Sequence, residues 1–122
     1  MTHQSITNAD ASHWSDTKEF SEIFSAAQAA GEHAATACTP EPLRVVGYSP
    51  YANGECGCAY FKFDRRTRFG QWLVTQQHAR SGKFFVFRDD QSADRATEYL
   101  IAFRQVLARF GIPVGPVVRR LD

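Results

Sequence analysis

Between Ser92 and Pro113 the chain carries a helix signal complete at both ends, and the rest of the fold has to cover one side of it. Ser92 is a favoured N-cap residue, because its hydroxyl can accept a hydrogen bond from a first-turn amide. Behind it Ala96, Tyr99, Leu100, Phe103, Val106, Leu107 and Phe110 recur with the helical period, so they line one face. Gly111 supplies the left-handed residue that closes such a helix, Ile112 can pack back on the last turn, and Pro113 prevents continuation. A stripe this rich in rings needs an apolar layer opposite.

The sequence before it supplies one. Asn53-Gly54 is a turn signal, and in the run Cys56 to Phe63 after it Ala59, Phe61 and Phe63 alternate with Cys58, Tyr60 and Lys62. That is the two-residue period of a strand, read as the second strand of a hairpin whose first strand is Leu43 to Tyr48. Asp64 or Thr67 can cap a short helix that carries Phe69, Trp72 and Leu73 inward, and Ser81-Gly82 turns the chain into a third strand, Lys83 to Arg88. Val114 to Val118 is expected to add a strand at the sheet edge, where the missing amide of Pro116 is tolerated.

At the other end, Asp16 and Glu19 have the spacing of a capping box and place a helix start there. Phe20, Ile23, Phe24 and Ala27 give that helix an apolar face, and Gly31, Ala34 and Cys38 continue it with small residues that allow close approach to another backbone. Thr39-Pro40-Glu41-Pro42 ends it, since the residue before a proline is pushed out of the helical region. Residues 1–15 are polar and aperiodic, so a flexible N-terminal arm is expected, followed by one α+β domain over residues 16–122. The element order α-β-β-α-β-α-β favours a mostly antiparallel sheet of three or four strands with helices packed on it.

A chain of 122 residues with 43% hydrophobic and 22% charged side chains has the balance of an ordinary globular domain with one core. No apolar run approaches the ~18 residues of a membrane span, so no membrane partner is expected. The first fifteen residues lack the basic start and apolar stretch of a secretory signal, and the three cysteines do not make a disulfide framework. Both features place the expected location in the cytoplasm.

The net charge of +1 hides an asymmetry: residues 1–60 sum to −5 and residues 61–122 to +6. The excess either draws the two halves together within the fold, the favoured reading, or marks a surface for an acidic partner or nucleic acid. The candidate basic surface is Arg65, Arg66, Arg68, Arg80, Lys83 and Arg88, since arginine forms bidentate pairs with phosphate and carboxylate. Tyr60, Phe61 and Phe84 lie nearby in sequence as rings on which bases could stack. Against this stands the simpler reading of a solvated helix face above an apolar sheet.

No catalytic residue, metal site or cofactor is assigned. Cys56-Gly57-Cys58 has a one-residue gap where zinc pairs usually have two or more, and only Cys38 and four scattered histidines could complete a set. A thiol nucleophile assembled from Cys56 or Cys58 with His33 or His78 has no spacing that selects it. Asp89-Asp90 reads as a loop and helix-cap element.

From Phe20 onward, about five-sixths of the chain, the sequence resembles a family of small uncharacterised proteins of tailed bacteriophages and prophages. The resemblance is carried by the order of several stretches: Gly54 to Tyr60, Arg68-Phe69-Gly70-Gln71-Trp72-Leu73, Gln91-Ser92 leading to Glu98-Tyr99 and Ala102-Phe103, Val106-Leu107 with Gly111-Ile112, and Arg120-Leu121-Asp122. Cys58 stands where that family tends to have an apolar residue, and Pro113 to Val118 departs from its usual tail. The resemblance implies no catalytic residues. It implies only a context, that of small phage accessory proteins that bind host factors such as defence components. Together with the basic half and the lack of an active-site constellation, it leads to the expectation of a non-enzymatic protein that binds a host or phage protein with an acidic surface, with a nucleic-acid-binding module or a minor virion protein as alternatives.

Overall fold

The computed structural model describes residues 9–40 and 56–121, and the side chains of the first helix from Lys18 on. The order is α1 (Ala9–Ala37), β1 (Gly57–Lys62), α2 (Arg68–Thr75), β2 (Lys83–Val86), α3 (Ala93–Arg109) and β3 (Val118–Leu121). The fold is α+β, with an antiparallel sheet in the order β2-β1-β3. The expected strand at Leu43 to Tyr48 and the Asn53-Gly54 turn lie outside the described residues, as do residues 1–8 and 122.

The helix boundaries follow from local chemistry. Ser92 Oγ accepts the Arg95 amide at 3.2 Å and starts α3. At the other end Gly111 has φ +74, its amide donates to the Ala108 carbonyl, and the Ile112 amide reaches back to Leu107. This pair of bonds satisfies carbonyls that a helix end otherwise leaves open. Thr67, rather than Asp64, caps α2: its hydroxyl accepts the Gly70 amide at 3.0 Å. The Asp64 carboxylate instead holds Arg66.

Three expected boundaries are corrected, the first being that β2 ends at Val86, so Phe87 and Arg88, expected in that strand, lie beyond it. α1 begins at Ala9, so residues 9–15, expected in the arm, are helical and Asp16 lies inside the helix. Ala9 and Ala11 are strong helix formers, and they extend the helix past the box. The edge strand is Val118–Leu121 and not Val114 to Val118. Arg104 on α3 donates to the carbonyls of Gly115 and Val114, at 2.9 and 3.3 Å, and the Gly115 amide donates to Lys62 at 2.7 Å. The stretch before Pro116 is thereby tied down as a connection, and the ladder starts after the residue that cannot donate to it.

α3 packs on one face of the sheet and α1 packs on α3, with α2 against α1 and Phe24 of α1 reaching Phe84 of β2. Phe61 and Phe103 are fully buried at the centre, and Phe24 meets Trp72, Phe84 and Phe103 edge-on, with centroids 5.4 to 5.8 Å apart. Edge-to-face contacts of this kind add roughly 0.5–1.5 kcal/mol each beyond area burial. The small residues of α1 do what their size suggests: Gly31 seats the Tyr99 ring so closely that a methyl group there would meet it at 2.9 Å.

Candidate functional site

The sheet has a second face. The register pairs Tyr60 with Phe85 and with Val118, Lys62 with Lys83, and Cys58 with Arg120, and all of these alternate with the inward Ala59, Phe61 and Phe84. Phe87 follows two residues after Phe85 on the same side and is 72% exposed. Among the described residues no helix covers the part of this face around Tyr60, Lys62, Phe85 and Phe87, which is open, whereas Cys58 on the same face is buried.

Its surface combines rings with cations. The Tyr60 and Phe85 rings lie 4.9 Å apart, and Phe87 continues the run, near-parallel to Phe85 with centroids at 5.6 Å. Lys83 Nζ stands 5.1 Å from the Tyr60 ring centre and the Arg120 guanidinium 5.9 Å from that of Phe85. None of the three strands contains an acidic residue. A cleft beside β2 continues the face, with Arg80, Lys83, Phe85 and Phe87 lining it together with Gln77 and His78.

The six basic residues expected to form one surface separate into three places. Arg80 and Lys83 share the cleft just described. Arg65 and Arg66 line a groove between the β1–α2 turn and α2, where Arg66 pairs with Asp64 at 3.0 Å, and Arg68 opens α2. Arg88 turns into the fold: it reaches Glu32 of α1 at 3.3 Å and Asp90 at 3.8 Å, with only 19% of its side chain exposed. The Arg88–Glu32 pair joins a basic residue of the C-terminal half to an acidic residue of the N-terminal half.

Of the rings expected to be available for stacking, only Tyr60 faces outward, because Phe61 and Phe84 are core. Sequence reasoning missed Lys62, Phe85, Phe87 and Arg120 as surface partners. Lys83 and Phe85 alternate along β2 and Phe87 follows just past its end, a spacing that was a usable signal. The obstacle was that β2 carries rings on both faces, so alternation alone did not say which one the helices cover.

The thiols stand apart in environment. Cys56 is exposed, in an isolated bridge with Ser92; Cys58 is buried; and Cys38, at the end of α1, is half-buried. Burial, with Glu98 and Asp94 nearby, pushes the Cys38 thiol up and so disfavours the thiolate a nucleophile needs. Among the described residues no group of three or more His, Cys, Asp or Glu side chains could hold a metal ion, and no helix is long and apolar enough to cross a membrane. Asp90 accepts the Ser92 amide at 3.0 Å and Arg95 at 2.9 Å, serving the start of α3.

No protein-family profile, curated protein or solved structure matches the chain.

Proposed function

We propose that this is a non-enzymatic binding protein that engages an anionic macromolecule through the open face of its sheet. One observation carries the reading: Lys62 and Lys83 are direct cross-strand partners on that face. Like charges placed opposite each other destabilise a strand pair, and lysines on edge strands guard against unwanted pairing, but Lys62 belongs to the central strand. An anionic ligand accounts for keeping both. The resemblance to phage and prophage accessory proteins supports a ligand that belongs to the host or to its defence machinery.

The test is retention on heparin resin, a polyanion, over a salt gradient. The double variant Lys62→Glu with Lys83→Glu should elute well before a charge-matched control, Arg65→Glu with Arg109→Glu, which alters exposed residues elsewhere. If the control pair loses retention and the lysine pair does not, the anion site lies away from the open face and the reading fails.

A further inference from the structure

Resting on that reading, we infer that the ligand is a single-stranded nucleic acid, with bases stacked on Phe85 and Phe87 and phosphates against Lys62, Lys83 and Arg120. The first support is the ring geometry. Phe85 and Phe87 are inclined by only 14° with centroids 5.6 Å apart, an offset arrangement that leaves ring surface uncovered. Phe87, 72% exposed, has surface ready for a planar partner.

The second support is spacing. The Phe85 and Phe87 ring centroids stand 5.6 Å apart, well beyond the roughly 3.4 Å base step of a duplex. Rings at this interval suit bases that are splayed along an extended strand, whereas a duplex turns its bases inward and offers such a face only phosphates. The third support is the interleaving of charge: Lys83 stands over Tyr60 and Arg120 over Phe85. A single strand also alternates planar and anionic groups. An acidic protein surface would satisfy the cations, but it carries no regular alternation of planar and anionic groups like that of a nucleic-acid strand.

The experiment is fluorescence anisotropy with a labelled single strand of about 15 nucleotides, long enough for one such site, with competition by its duplex and by inorganic polyphosphate, which has charge without bases. Phe87→Ala should weaken single-strand binding roughly five- to hundredfold, the range for loss of one stacked base, and leave competition by polyphosphate unchanged. Phe87→Leu should behave like Phe87→Ala, because it keeps bulk and loses the ring. Lys62→Ala with Lys83→Ala should weaken both ligands. With four cations on or beside the face (Lys62, Arg80, Lys83 and Arg120), the log–log salt slope should lie near −2 to −3, at about −0.7 per phosphate.

Equal affinity for single strand and polyphosphate, indifferent to Phe87, would overturn the stacking inference and leave the anionic reading standing. Tighter binding of polyglutamate than of either would also overturn it, in favour of an acidic protein partner. Failure of every polyanion to bind would remove both proposals.

Discussion

The two faces of this sheet are made by alternate residues of the same strands, and they have opposite fates. Inward, Phe61 and Phe84 are cross-strand partners with rings 5.3 Å apart, sealed under Phe24 and Phe103. One residue along each strand, Tyr60 and Phe85 are likewise cross-strand partners with rings 4.9 Å apart, yet they remain half-exposed among cations. Pairing and aromatic content are nearly equal on the two sides. The difference lies in what is laid over them. Helices bring Leu100, Phe103 and Leu107 to the inner face, whereas lysine and arginine rim the outer one. Burial turns the first set of rings into stability, and exposure with like-signed charge leaves the second set suited to a ligand.

The comparison breaks first on the inner face. Phe61→Ala should lose about 3–5 kcal/mol, a large part of the roughly 5–15 kcal/mol that holds a domain of this size, read as a fall in the urea midpoint. A loss under 1 kcal/mol would mean that the inner rings are not the core described here. Gly57→Ala tests the seam between β1 and β3: a methyl group there would run into the Arg120 carbonyl oxygen, so β3 must shift. Overpacking of that kind costs about 1–3 kcal/mol, and moving Arg120 should weaken polyanion binding along with stability.

Acid sharpens the comparison at the link from β2 to α3. Burial pushes the Asp90 carboxyl up, but the Ser92 amide, Arg95 and Arg88 outweigh it and hold the group below the usual aspartate value. A carboxyl lowered in the fold contributes stability that is full above its unfolded pKa of about 3.9 and is lost as pH falls through the lower folded value. Asp90→Asn should therefore flatten the loss of stability below about pH 4, followed by circular dichroism. The smallest expected effect is Phe87→Ala, which should change the melting free energy by less than about 0.5 kcal/mol even though it weakens binding.

Much of this was legible in the sequence where local chemistry decides. Ser92 and Gly111 set the ends of α3 without help from the rest of the fold, and the alternation from Ala59 to Phe63 marked β1. Long-range choices were not legible. Nothing in Lys83-Phe84-Phe85-Val86-Phe87 says that Phe84 turns toward α3 and Phe85 away, because only the pairing of Tyr60 with Phe85 and the position of α3 decide it. Arg88 looked like its basic neighbours, and its role came from Glu32, which is far away along the chain. The Asp16 box misled because a capping pattern is also compatible with a helix interior when alanines precede it.

The most direct test is amide chemical-shift mapping of the labelled protein titrated with a single-stranded oligonucleotide. The account predicts shifts concentrated at Tyr60, Lys62, Lys83, Phe85, Phe87, Val118 and Arg120, with the inner-face residues Phe61 and Phe103 little changed. Shifts centred instead on Arg65, Arg66 and Arg68, with the open face silent, would contradict it.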